Sequence, residues 1–262
     1  MFEAWELLAA WASLTETVRL GTLVTGNTYR HPAVLAKMAA TLDHVSGGRA
    51  VLGLGAAWHA GEHAMYGIPF PTTGGRLARM DEAARVLRLL LDEPVATFEG
   101  RHYRLTDAVA EPKPIQRRLP ILIGGGGERK TLRTVARYAD YWHGHGTPDI
   151  IRHKLAVLAQ HCADVGRDPS EIIPLTSVRP DFVLRDDLAD VEAQLERVRS
   201  RSLAEAEPMN PTHTVDALVE RCAALWAAGA RGFIMYFKAP YDLETIRRIA
   251  TEVRPTLEQA IA

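Results

Sequence analysis

Uniformly apolar runs, among them Ala50 to Leu54 (AVLGL), Ile121 to Ile123 and Gly232 to Phe237 (GFIMYF), alternate along this chain with longer stretches of helical period. No other feature of the sequence limits the fold as strongly. A strand buried on both faces has no polar side to show, and parallel strands need a crossover long enough to hold a helix, so the pattern specifies a parallel sheet covered by helices. Strands are predicted at Val18 to Thr25, Ala50 to Leu54, Ile121 to Ile123, Tyr141 to His143, Ile172 to Val178 or alternatively Phe182 to Leu184, and Gly232 to Phe237. Helices are predicted from Phe2, with Phe2, Trp5, Leu8 and Ala12 on one face and no N-cap in front, and from Pro32 to about Val45. Further helices fall at Arg76 to Leu91, Glu128 to Arg137, Pro148 to Val165, Leu188 to Arg201, Val215 to Ala228 and Asp242 to Ala260. Between Val95 and Leu119 the alternation pauses, and Phe98-Glu99-Gly100-Arg101-His102-Tyr103 reads as an inserted hairpin around Gly100.

No Ser/Gly-rich or charge-run linker divides residues 1–262, so a single domain is expected. About six strands result, whereas an eight-stranded barrel takes roughly 250 residues without insertions. Two strands therefore do not fit, and the first strand-helix-strand portion is expected to lie before Met1. The sheet would then be open, edged by Val18 to Thr25 and by Gly232 to Phe237. A formal net charge of −1 gives no field to draw nucleic acid or an anionic membrane. Cys162 and Cys222 show no CxxC spacing, and no apolar run nears the ~20 residues that cross a bilayer. A cytoplasmic chain is the expectation.

The sharpest chemical feature is Ile121-Leu122-Ile123-Gly124-Gly125-Gly126-Gly127-Glu128-Arg129-Lys130-Thr131-Leu132: a buried strand, four glycines, then a helix. Glycines let backbone N–H groups approach an anion, a helix N-terminus adds unsatisfied donors, and Arg129 or Lys130 can add charge, so this loop reads as a phosphate site. The alternative is a flexible connection with no ligand. It is not a Walker A loop, because no Gly-Lys-Ser/Thr follows at the required spacing. At Gly53-Leu54-Gly55-Ala56-Ala57-Trp58, small residues at a strand's C-terminal end would let a flat ring lie against the backbone, or would merely permit close packing. His31 and His59 each follow a strand end, where an imidazole could shuttle a proton, and both are candidate catalytic residues. His143 and His145 lack a third ligand at clear spacing, so no metal site is expected.

Taken in order, Leu20-Gly21-Thr22-Leu23-Val24-Thr25-Gly26, Tyr29-Arg30-His31-Pro32-Ala33, Leu42 to Arg49 (LDHVSGGR), Gly53 to Trp58 and the Gly124 to Leu132 loop resemble the bacterial luciferase-like monooxygenase superfamily. Within it they are most similar to the coenzyme F420-dependent oxidoreductase branch. The resemblance implies a TIM-type (β/α)8 barrel, here incomplete, usually dimeric, with its coenzyme at the C-terminal strand ends. It implies a non-proline cis peptide at Leu23-Val24 behind the coenzyme ring. Gly55, Ala56, Ala57 and Trp58 would border the ring and ribityl chain, and Gly124, Gly125, Gly126, Gly127, Glu128 and Arg129 would hold the phosphate. Sugar-phosphate dehydrogenases of the superfamily have Glu where Trp58 stands, so their acid/base assignment does not transfer. The upstream segment often carries an Asp or His beside the ring. The implied function is hydride transfer between F420 and a small organic substrate. The alternatives are an FMN-dependent monooxygenase and a truncated, non-catalytic coenzyme-binding remnant.

Overall fold

A computed structural model describes residues 2–178, 183–199, 213–237 and 241–261. In chain order the elements are α1 (Ala4–Leu14), β1 (Leu20–Gly21), β2 (Thr25–Gly26), α2 (Pro32–Val45), β3 (Ala50–Gly55), α3 (Ala60–Met65) and α4 (Thr73–Asp92). Then follow β4 (Ala96–Glu99), β5 (Arg104–Ala108), β6 (Ile121–Gly124), α5 (Thr131–Tyr138), β7 (Tyr141–Gly144), α6 (Pro148–Asp164) and β8 (Ile173–Val178). The chain continues through α7 (Leu188–Arg199), α8 (Val215–Ala227), β9 (Gly232–Met235), α9 (Leu243–Arg248), a π-helical turn (Ile249–Val253) and α10 (Arg254–Ala260). The fold is α/β of the barrel type. With β1 and β2 taken as one interrupted strand, it has six parallel strand positions among the described residues, not eight.

Two compact units divide the chain, one of residues 1–143 and 156–173, the other of residues 144–155 and 174–262. In the first, β1 and β2 both pair with β3, β3 pairs with β6 and β6 with β7, all parallel. The register sets Leu52 beside Ile121 and Ile123 beside Trp142, side chains that are almost wholly buried. Each such residue contributes about 1.5–3 kcal/mol on burial, which explains why these strands read as apolar throughout. Leu35, Ala36 and Ala39 of α2 and Met80, Ala83 and Leu87 of α4 cover the sheet. Arg88 is buried against Asp140, whose carboxylate also accepts from Arg118 Nε at 2.7 Å and from Ile121 N–H at 2.8 Å, so the start of β6 hangs on one carboxylate. Burial holds the Arg88 guanidinium below its ordinary pKa.

In the second unit β8 pairs in parallel with β9, Thr176 beside Phe233. Leu218, Cys222 and Leu225 of α8 and Val253 and Leu257 of the closing helix are buried. Arg185 reaches Asp242 at 2.9 Å. Burial pulls the Asp242 carboxyl up, but hydrogen bonds from Arg185 and Thr245 outweigh it and leave the group below its ordinary range.

The sequence reading needs several corrections. The first helix does have an N-cap: Glu3 accepts from Glu6 N–H at 2.9 Å, and Phe2 is exposed, outside the buried face of Trp5, Leu8 and Ala12. The predicted strand from Val18 to Thr25 is two short pieces, Leu20–Gly21 and Thr25–Gly26, with Thr22 to Val24 outside the ladder, and the Leu23-Val24 peptide is cis. A helix missed in the sequence, α3, occupies part of the loop after Trp58. Helix α5 begins at Thr131, not at Glu128, since residues 125–130 form the glycine loop. The last strand stops at Met235, and a π turn interrupts the closing helix. Of the alternative strand at 182–184, Phe182 lies outside the described residues, and Leu184 is non-strand, its N–H bound to Thr245 Oγ1. Residues 200–201 of the helix predicted at Leu188 to Arg201 also lie outside them. Around Gly100, β4 and β5 form an antiparallel hairpin. Its turn is held to α4 by Glu82, which accepts from the N–H groups of Arg101, His102 and Tyr103 at 3.0, 2.7 and 3.2 Å.

Candidate functional site

The site is built at the C-terminal ends of β2, β3 and β6, where parallel α/β proteins gather their ligands. Its floor is the bulge between β1 and β2. Trp5 Nε1–H donates to Thr25 Oγ1 at 2.8 Å, Thr22 Oγ1 lies 3.0 Å from Thr25 Oγ1, and Thr22 Oγ1–H donates to Gly53 O at 3.0 Å. Gly53 has to be glycine: a Cβ there would stand 1.7 Å from Thr22 O. The Val24 side chain drops into a niche left open by three glycines. A Cβ on Gly53, Gly55 or Gly124 would meet a Val24 methyl at 3.2, 2.5 or 3.1 Å. Leu23 stays exposed. The Gly53 to Gly55 run therefore serves close packing of the bulge, and that packing brings Val24 to the strand ends.

The glycine loop is fixed from both sides. Gly125 N–H donates to His143 O at 3.0 Å, and the buried Trp142 indole N–H donates back to Gly125 O at 2.9 Å. Gly125 has φ +132°, which side chains rarely adopt, and a Cβ on Gly127 would stand 2.8 Å from Thr131 Oγ1. His161 Nε2 lies 2.8 Å from Glu128 O. Lys130 occupies the N-cap position of α5 with no side-chain cap bond, which leaves the helix N-terminus without its own side-chain acceptor. Arg129 and Lys130 are exposed beside it. Backbone N–H groups, a positive helix end and two cations are groups that could hold an anion.

Both candidate histidines turn out to cap helices. His31 Nδ1 accepts from Ala33 N–H at 3.1 Å, and His59 Nδ1 accepts from Glu62 N–H at 2.9 Å. A nitrogen that accepts carries no proton, so in each neutral ring the proton sits on Nε2. In this state each presents a hydrogen-bond donor and has its basic nitrogen occupied. Ala56 is half-buried, Ala57 takes the left-handed region at φ 62°, and Trp58 beyond it is 83% exposed.

Sequence reasoning missed a set of residues behind these loops. Tyr29 O–H donates to Glu62, and its phenol is pushed up to about 12, by burial first and then by the carboxylate. His63 is fully buried, with Nε2 at 2.6 Å from Thr28 Oγ1 and Nδ1 at 2.8 Å from His59 O. Asn27 donates its N–H to Gly55 O at 2.8 Å and accepts at Oδ1 from Tyr103 of the hairpin at 3.4 Å, while its buried Nδ2 has no partner among the described residues. A buried donor without a partner costs about 1–3 kcal/mol, so its position beside the bulge points to a ligand or water acceptor. The one sequence signal available was the i, i+4 spacing of His59 and His63. Among the described residues no His, Cys, Asp and Glu group could hold a metal, and no helix is long and apolar enough to cross a membrane.

These features define a parallel α/β protein with a glycine loop before a helix and a glycine-backed bulge at its strand ends. The family profile of the luciferase-like monooxygenases matches residues 1–233, and the chain belongs to that family of enzymes. An uncharacterized protein of Mycobacterium tuberculosis is 32% identical over 178 residues, 68% of this chain and 62% of that protein, so the chain spans about three fifths of this relative. An F420-dependent glucose-6-phosphate dehydrogenase of Kineococcus radiotolerans is 43% identical over 117 residues, 44% of this chain and 34% of that one. Among solved structures, the coenzyme F420-dependent tetrahydromethanopterin reductase of Methanopyrus kandleri aligns with TM-score 0.79 at 20% identity, over 98% of this chain and 88% of its own. The monooxygenase RslO1 of Streptomyces bottropensis aligns with TM-score 0.79 at 21% identity, over 97% and 83%. At such identity the two structures speak for the fold alone.

Proposed function

We propose that this chain is an oxidoreductase that binds F420 by its phosphate at Gly124 to Arg129 and uses it for hydride exchange with a small organic substrate. The observation that carries the reading is the clamped glycine loop opening onto the start of α5, which has no side-chain cap, beside the Val24 niche. Similarity to the F420-dependent dehydrogenase of Kineococcus supports the choice of coenzyme. When bound, a deazaflavin supplies two-electron chemistry, and the protein supplies orientation and electrostatics.

The roles of the chain's own residues follow from their positions. Gly124 to Glu128 form the cradle of the phosphate, with Gly126 and Gly127 offering backbone donors while Gly125 N–H keeps its bond to His143 O, and Arg129 and Lys130 neutralise its charge. Leu23 and Val24 back the ring, while Gly55, Ala56, Ala57 and Trp58 border it and the ribityl chain. The Nε2–H groups of His31 and His59 donate to polar atoms of the substrate or ring. A cytoplasmic homodimer is part of the proposal, and the free, buried Cys162 and Cys222 agree with a reducing compartment.

FMN carries the same phosphate chemistry, so the cradle alone does not choose between the coenzymes. Side-by-side fluorescence titrations of the purified chain with F420 and FMN test the reading: F420 should bind more tightly, with affinity falling as salt rises. Gly126→Val should raise the F420 Kd at least tenfold with an unchanged circular dichroism spectrum. Tight FMN binding without F420 binding turns the assignment to a monooxygenase, and binding of either without turnover turns it to a coenzyme-binding remnant.

A further inference from the structure

We propose that His63 is a positioning residue for the coenzyme loop, a neutral imidazole that clasps the segment after β3 to the segment after β2. The inference rests on the assignment of Gly55 to Trp58 to the coenzyme. His63 lies outside every motif that suggested the family, and it has no exposure to solvent, yet both ring nitrogens are engaged. Nδ1 faces the carbonyl oxygen of His59, which only accepts, so Nδ1 carries the proton. In the proposed neutral ring Nε2 then holds a lone pair that the Thr28 hydroxyl, 2.6 Å away, can match as donor. The ring is packed between Tyr29, centroids 4.7 Å apart, and Phe70, 4.6 Å apart, and the Arg76 guanidinium covers Phe70 at 3.8 Å.

What this clasp holds is informative. Thr28 and Tyr29 follow β2, the short strand that leaves the bulge seating Val24, with Asn27 between, and His59 follows directly on Ala57 and Trp58. Tyr29 to Glu62 is a second tie between the same two segments, and Asn27 N–H to Gly55 O a third. Ala57 sits at φ 62°, a conformation disfavoured for a residue with a Cβ and kept only where its surroundings impose it. His63 is the buried member of the set that binds both segments through its side chain, so it transmits the bulge's position to the loop that borders the ring. A buried histidine kept merely for packing would need neither polar bond, and a phenylalanine would fill the space.

The test uses the full chain and separates the polar bonds from the packing. His63→Phe keeps a ring between Tyr29 and Phe70, removes the ring partner of Thr28 Oγ1 and leaves His59 O with only the 3.4 Å backbone bond from residue 63. It should weaken F420 at least tenfold and raise deuterium uptake of amides 56–62 without changing uptake in β3. His63→Asn, which can place a donor near the Nδ1 position, should recover part of both effects. Thr28→Val, which removes only the Nε2 partner, should weaken F420 by a smaller factor and serves as the probe if His63→Phe does not fold. Nitrogen-15 NMR should show a protonated Nδ1 and a bare Nε2. Wild-type F420 affinity and wild-type exchange at 56–62 in folded His63→Phe, or in Thr28→Val should His63→Phe not fold, would overturn the proposal, as would the opposite tautomer. If the wild-type chain fails to bind F420, the coenzyme reading falls, and the exchange and NMR arms still decide whether the clasp exists.

Discussion

Replacing Gly55 by Ala should destabilise the protein, and replacing Val24 by Ala in the same chain should restore most of the loss. An added Cβ at residue 55 would stand 2.5 Å from Val24 Cγ2. Carbon atoms rest about 3.5–4.0 Å apart, so ~1 Å of overlap has to be relieved by moving either the Val24 rotamer or the bulge. Overpacking of this kind costs about 1–3 kcal/mol. Val24→Ala alone removes two methyl groups from a half-buried site and should cost about 1 kcal/mol. In the double variant the clash is gone, so the two effects should couple by about 1–2 kcal/mol in the restoring direction. Urea unfolding by linear extrapolation gives the four stabilities, and F420 titration of the same four proteins shows whether the ring seat follows the side chain. Additivity within about 0.5 kcal/mol would refute the seat, because it would mean that Val24 and Gly55 do not meet.

Other expectations follow from single contacts. Trp142→Phe removes the indole donor to Gly125 O and should cost about 1–3 kcal/mol, with weaker F420 binding in the same titration, since the glycine loop loses one of its clamps. Glu82→Gln should leave F420 affinity near wild type but raise deuterium uptake at residues 101–103, whose three N–H groups now share one carboxylate. Tyr29 has its phenol raised from 10.0 to about 12, so the fold prefers the protonated form: stability from this group is full below pH 10 and is lost as pH rises from 10 toward 12. Tyr29→Phe should flatten that alkaline loss in a series of thermal melts. Asp242 has the opposite sign: its depressed carboxyl adds stability above the ordinary carboxylate range that is lost as pH falls through it, and Asp242→Asn should blunt the acid sensitivity of the second unit.

The sequence by itself determined the class of fold and the place of its main loop. Strands buried on both faces leave a run of apolar residues, as at Ile121 to Ile123, and a run of glycines before a helix has few uses, so both were legible from spacing and residue type. The ordered motifs also placed the cis peptide at Leu23-Val24 by resemblance, where the structure has it. Local chemistry was less legible. Glu3 was not read as a cap, and α3 was hidden because its short amphipathic signal sits among glycines and prolines. His31 and His59 looked like proton carriers, and only the path of the backbone showed that each spends Nδ1 on a helix N-terminus. The contacts of Val24 with Gly53, Gly55 and Gly124, of Trp142 with Gly125, and of His63 with Thr28 join residues from different elements. Such contacts depend on strand register and on side-chain direction, and both are set by the packing of the whole sheet, so the tertiary structure alone decided them.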